Sequence, residues 1–291
     1  MAFNIQTFKI RALTAVVFVV IMLAGLLWNH WTFLLLFTII HFGCWNEYQF
    51  LLGKINKEYS GISSFHKYGS MIMGFGIMLW VTNAAFHFAT ITLHEVGFWL
   101  ILVFALVLPI IEILFSLTAE LKNIGISLLG IVYISLSWAL MIDLRQHDML
   151  LEKSTILHDN GWIIPVFLIG SIWINDTMAY IVGSFLGKTP LSSISPKKTW
   201  EGTIGGAVLC IAVVAIVSSF FFQNMLALLV GIAAIAAIAG TIGDLVQSKL
   251  KRLADVKDSG NIMPGHGGFL DRFDSLILAT PFAWLYVKLF F

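Results

Sequence analysis

"LALLVGIAAIAAIAGTIGDLVQSKLKRLADVKDSGNIMPGHGGFLDRFDS", residues 226–275, passes from an unbroken apolar run into a dense polar one. Residues 226–244 hold a single charged side chain, Asp244, at their very end. Crossing a hydrocarbon core takes about 20 mostly apolar residues per helix, so this run reads as a membrane span that closes at a water boundary. The same reading extends outward along the chain. Of its 291 residues, 59% are hydrophobic and 11% charged, where soluble globular domains carry roughly 25% charged residues. Comparable runs lie at 12–28, 31–48, 69–90, 97–117, 124–142, 162–186, 203–222 and 275–291. The expected fold is all-α, a polytopic integral membrane helix bundle of about nine transmembrane helices.

Lys9 and Arg11 precede the first span as they would in a signal peptide, but no A-x-A cleavage region follows and eight more spans do. It is expected to be a retained helix. Cys44 and Cys210 both fall in spans and offer neither a disulfide framework nor a C-x-x-C spacing.

With nine spans, the 17 Lys and Arg residues divide 14 against 3, only Arg145, Lys153 and Lys288 falling on the minority side. Positive charge in short flanking loops favours the cytoplasmic side, which predicts a cytoplasmic N-terminus and an outer C-terminus. The loops 188–202 and 245–274 then face the cytoplasm, where nucleotides and soluble phosphates are found. The outer loop 143–161, with Asp143, Asp148, Glu152 and Asp159, reads as a solvated connector. Residues 1–160 are expected to be a scaffold of about five helices, and 161–291 a catalytic region of about four.

Four stretches of the second half carry chemistry. In "SIWINDTMAYIVGSFLGKT", residues 171–189, Asn175 and Asp176 sit near the middle of a span. A carboxylate there costs at least about 2.5–3.5 kcal/mol on insertion scales, so Asp176 reads as a metal or substrate contact, or else as a group neutralised by a neighbouring helix or by its own protonation. "GSFLGKT" is not a P-loop, because three residues separate Gly183 and Gly187 where four are needed, and no strand precedes it. In "SSISPKKTWEG", residues 192–202, Lys197 and Lys198 lie among hydroxyls just before a helix start near Thr199. That combination suits phosphate oxygens, although lysines at this position also enforce topology or meet anionic headgroups.

"GTIGDLVQSKLKR", residues 240–252, brings Asp244 to the boundary, followed by Ser248, Lys251 and Arg252. Leu250, Leu253 and Val256 recur at the spacing of a short interfacial helix. "PGHGGFLDRFD", residues 264–274, joins a glycine-rich turn at Gly265, Gly267 and Gly268 to Asp271 and Asp274. Three-residue spacing puts both carboxylates on one helical face. With Asp244 from the preceding span they make an oxygen-ligand site suited to Mg²⁺. The glycines would let backbone N–H groups approach a phosphate, and His266 would act as a hydrogen-bond donor, a proton shuttle or a turn residue.

Written as S-x-L-K-R-x4-K-D-x-G-x3-P-x-H-G-G-x2-D-R-x-D, residues 248–274 resemble the signature of phosphatidate cytidylyltransferases, also called CDP-diacylglycerol synthases. "DTMAY" at 176–180 and "SPKKTWEG" at 195–202 fit the same family in the same order, and Met263 before Pro264 is a small departure where an aliphatic residue or Phe is more usual. The resemblance implies Mg²⁺-dependent transfer of CMP from CTP to phosphatidate in the inner leaflet, with one or two metal ions. It implies metal-binding roles for Asp244, Asp271 and Asp274, and phosphate contacts from Ser248, Lys251, Lys197 and Lys198. Lys257 and Asp258 would be further site members, and Arg252 would face headgroup and nucleotide phosphates. A homodimer is compatible with it, and no nucleic-acid partner is expected. Two other classes fit parts of the chain: a transporter, from Asp176 and Glu112 in apolar spans, and a CTP-dependent lipid alcohol kinase, which shares substrates and metal needs.

Overall fold

The computed structural model describes residues 5–115, 121–147, 160–261 and 267–291. The chain divides into two compact units, Met1–Ser135 with Leu253–Arg272, and Leu136–Arg252 with Phe273–Phe291. In the first lie α1 (Ile5–Leu27), α2 (His30–Ile55), the short α3 (Lys57–Ser60), α4 (Ser64–Trp80), a two-stranded antiparallel hairpin of β1 (His87–Phe88) and β2 (Ile91–Thr92), α5 (Leu93–Phe115) and α6 (Leu121–Gly130). A π-turn over Ile131–Ser135 continues α6 into α7 (Leu136–Arg145). The second unit holds α7, α8 (Ile163–Leu186), α9 (Trp200–Phe221), α10 (Leu226–Leu253) and most of α11 (Phe269–Phe290).

Among the described residues, six helices are long and apolar enough to cross a membrane: Leu93–Leu114, Lys122–Arg145, Ile163–Leu186, Trp200–Phe221, Gln223–Leu253 and Phe269–Phe290. Ala12–Leu27 is apolar but shorter. The protein is thus an all-α membrane helix bundle, with one small hairpin as its only described strand pair.

Local chemistry explains the element ends. Asn29 and Thr32 exchange side-chain and backbone hydrogen bonds in a capping box that starts α2. Thr199 caps α9 by accepting from the Gly202 N–H at 3.2 Å. Small residues set the close helix pairs, as expected where lipid offers no hydrophobic drive between helices. A methyl group at Gly206 would lie 2.7 Å from the Ala179 side chain, so α9 packs directly on α8. Gly97 plays the same part between α5 and α4, where its Cβ would meet the Trp80 backbone.

Two boundaries differ from expectation. The span expected over 69–90 ends at Trp80, where Thr82 turns back on Leu79 and the Asn83 side chain accepts from the Ala85 N–H at 3.0 Å. The apolar residues that follow belong to the hairpin. No separate interfacial helix occupies 250–256, because α10 runs unbroken to Leu253 and stops before Asp255, whose φ of 53° is left-handed. The last helix begins at Phe269, which places Asp271 and Asp274 in its first turns.

Candidate active site

In the second unit, Asp244 on α10 faces Asp274 on α11, and their carboxyl groups interact electrostatically. Gly243 makes this approach feasible, since its Cβ would lie 2.5 Å from the Asp274 carbonyl oxygen. Asp274 is buried, and its Oδ1 accepts from the Ser275 N–H at 2.6 Å. Two facing carboxyl groups repel when ionised and need nearby positive charge. Lys198 supplies part of it through an ion pair with Asp244 Oδ2, and Lys251, two turns beyond Asp244 on α10, lies within electrostatic reach of Asp274.

Lys198 is aimed by the folding of its own segment. Leu191 N–H donates to the Lys198 carbonyl at 2.7 Å, and Lys198 N–H donates to Ser195 at 3.0 Å. Glu201 fastens the segment to the exit of α8, accepting from the Lys188 and Thr189 N–H groups at 3.1 Å. Lys197, next in sequence, is exposed.

Asp176 on α8 interacts electrostatically with both Lys198 and Asp244 and receives a hydrogen bond from Asn175. Its side chain is exposed. Gln247, one turn beyond Asp244, is wholly buried, and neither end of its amide finds a partner. Ser248 is half-buried, while Arg252, Lys257 and Asp258 are exposed.

The first unit holds a different carboxylate arrangement. Asp271 Oδ2 accepts from the Ser259 N–H at 2.8 Å and the Gly268 N–H at 3.0 Å. Glu47 on α2 accepts from Phe269 N–H at 2.7 Å, from Leu270 N–H at 2.9 Å and from the Ser259 hydroxyl at 2.6 Å. Of the glycine N–H groups expected to approach a phosphate, that of Gly268 is taken by Asp271, and the next two N–H groups along the chain are taken by Glu47. Gly267 has φ +78°, and its Cβ would lie 2.7 Å from Asp271 Oδ2. The glycines of this turn admit carboxylates to the backbone. Gly265 and His266 lie outside the described residues.

Glu47 was missed from sequence. Its signal was slight, an acidic residue at the end of the apolar span 31–48. Glu112, which suggested an ion pathway, has a partner: its Oε2 lies 3.2 Å from His66 Nδ1, and His66 Nε2 lies 2.9 Å from the Ser127 hydroxyl. A buried, hydrogen-bonded pair of this kind accounts for an intramembrane carboxylate without a transported ion.

No three His, Cys, Asp or Glu side chains converge as a ready-made metal site among the described residues. The donor set of Asp244 and Asp274 nevertheless fits Mg²⁺, which prefers hard oxygens and takes one or two carboxylates together with substrate phosphates. Lysines beside those carboxylates suit the same phosphates.

Comparison with known proteins agrees with this chemistry. The cytidylyltransferase family profile matches residues 9–290. The chain is 38% identical over 180 residues to the phosphatidate cytidylyltransferase of Bacillus subtilis (strain 168), a match covering 60% of this chain and 61% of that protein. It is 49% identical over 123 residues to the phosphatidate cytidylyltransferase of Staphylococcus haemolyticus, covering 41% and 46% respectively. It is 42% identical over 129 residues to phosphatidate cytidylyltransferase 4, chloroplastic, of Arabidopsis thaliana, covering 44% and 33%. The matched stretches thus span from about a third to three fifths of these relatives.

Proposed function

From the premise that the chain belongs to the cytidylyltransferase family, we propose that it transfers CMP from CTP to phosphatidate, giving CDP-diacylglycerol and pyrophosphate. The observation that carries this reading is the meeting of Asp244 with Asp274 and Lys198 where apolar helices turn polar. Carboxylates for a hard cation and ammonium groups for phosphate oxygens are what a reaction between two polyanions at a membrane surface requires. Relatives named phosphatidate cytidylyltransferase support the choice of substrates.

In this reading Asp244, Asp271 and Asp274 hold Mg²⁺, which when bound offsets the charge of the CTP phosphates and of the departing pyrophosphate. Lys198 and Lys251 meet phosphate oxygens, with Lys197, Ser248 and Arg252 beside them and Asp176 orienting Lys198. Lys257, Asp258, Gly267 and Gly268 belong to the same substrate-binding segment, the two glycines by shaping its backbone, and His266 completes it. The lipid phosphate is already an anion near neutral pH, so its oxygen attacks the α-phosphorus without a protein base.

With nine spans read from the apolar runs, the 14 to 3 division of basic residues supports a cytoplasmic N-terminus and an inner-leaflet site. Residues 161–291 then supply most of the catalytic groups, and residues 1–160 the scaffold.

Purified protein supplied with CTP, Mg²⁺ and phosphatidate should release pyrophosphate and form a CMP-lipid. Absence of lipid-dependent pyrophosphate release with every divalent cation tried would overturn the proposal. Release of CDP with a phosphorylated alcohol would identify a kinase instead.

A further inference from the structure

We propose that Glu47 is a positioning residue for the reaction, acting from the N-terminal half of the chain on the backbone that holds Asp271. The inference rests on the functional reading above for its kinetic consequence, though not for its geometry.

Both oxygens of the Glu47 carboxylate are in use. Oε1 accepts from Phe269 N–H, and Oε2 accepts from Leu270 N–H and from the Ser259 hydroxyl. Ser259, only 1% exposed, is thereby gripped from two sides, its hydroxyl by Glu47 and its N–H by Asp271. Phe269 and Leu270 open the helix whose next residue is Asp271. One side chain from α2 therefore ties the residues after α10 to the first turn of α11, and Asp271 is held by donors within that tie.

The local sequence is built to admit this carboxylate. A Cβ at Gly260 or at Gly268 would overlap the Glu47 carboxyl oxygens. The positive end of α11 favours a negative charge there, and hydrogen bonds to a charged acceptor are the stronger kind. A group that orients a metal-ligating carboxylate through its hydrogen-bond partners typically alters activity or metal affinity 10–100-fold when lost. Glu47 touches no reacting atom in this scheme, so its removal is read in turnover more than in substrate affinity.

The test uses the full-length protein in lipid–detergent micelles and compares wild type, Glu47→Gln and Ser259→Ala. Hydrogen–deuterium exchange at residues 259–271 comes first, because it is independent of activity. Faster exchange of the Phe269 and Leu270 amides in both variants, with α4 and α5 unchanged, is expected. Exchange identical to wild type would overturn the tie itself.

Pyrophosphate release is then measured against CTP and phosphatidate. In Glu47→Gln, kcat should fall about 30- to 100-fold, with both KM values within about threefold of wild type. Ser259→Ala, which removes one of the three donors, should lose about three- to tenfold. Unchanged kcat in Glu47→Gln alongside the faster exchange would overturn the positioning role. If Glu47→Gln does not fold, the milder Ser259→Ala decides: its kcat must fall with KM held, and wild-type kcat there would defeat the proposal. An inactive wild type would count against the functional reading alone, leaving the exchange result to judge the tie.

Discussion

Asp244 with Asp274, and Glu47 with Asp271, are two pairs of carboxylates drawn together by the same fold and treated in opposite ways. Glu47 and Asp271 are met by backbone N–H groups and one hydroxyl at 2.6–3.0 Å. Asp244 and Asp274 instead face each other, with a lysine ion pair on the first. Glu47, with both oxygens met by fixed donors, has its charge balanced by the protein and serves the backbone's shape, holding Asp271 in place for its part at the metal. Carboxylates turned toward one another are left with a demand for positive charge, which a divalent cation meets. Charge density alone does not mark a reactive site; what distinguishes the two pairs is whether folding has already satisfied them.

The contrast is tested most severely at the facing pair. Asp244→Asn or Asp274→Asn should reduce pyrophosphate release by about 10³-fold or more, since a bound metal supplies several kcal/mol of charge stabilisation and each 1.36 kcal/mol is tenfold in rate. Near-normal turnover in either folded variant would remove the distinction between the pairs. Next comes Lys198→Met, for which a loss of about 10²-fold is expected if the ammonium meets developing charge on phosphate oxygens. A rate within threefold of wild type would reduce Lys198 to a structural partner of Asp244.

On the donor-rich side the measurement is stability. Gly268→Ala inserts a methyl group where Glu47 Oε1 and Oε2 stand, and overpacking of this kind costs about 1–3 kcal/mol. Denaturant unfolding in micelles should show that loss in the wild-type background and a smaller one in Glu47→Ala; equal losses would mean that the carboxylate is not what the methyl group meets. The smallest effect is expected at Glu112→Gln. Its carboxylate partners His66 and belongs to neither pair, so catalysis should stay within about twofold of wild type even if stability falls. Solute flux that depended on Glu112 would revive a transport function.

The facing pair was legible in the sequence because Asp244, Asp274 and Lys198 interrupt or border long apolar runs. Where every neighbour is apolar, a charge announces itself. Glu47 was not legible for the opposite reason: its partners Phe269 and Leu270 contribute only backbone N–H groups, and it stands 212 residues from Ser259. Nothing in residue type marks a main-chain donor. The same limit holds at Gly268, whose N–H meets Asp271, because the pattern shows that the backbone can be approached but not by what. Helix ends followed a similar rule. Apolarity continued past Trp80 into the hairpin, and polarity began on α10 well before its end at Leu253, since hydropathy reports composition while a helix stops where its hydrogen-bond ladder does.

The division between the two pairs is tested most directly by Mn²⁺ binding, followed by electron paramagnetic resonance on full-length protein with CTP present, in wild type, Asp244→Asn, Asp274→Asn and Glu47→Gln. Affinity should fall at least about tenfold in each aspartate variant, with a smaller loss in Glu47→Gln. Wild-type Mn²⁺ affinity in both Asp244→Asn and Asp274→Asn would contradict the assignment of that pair to the metal.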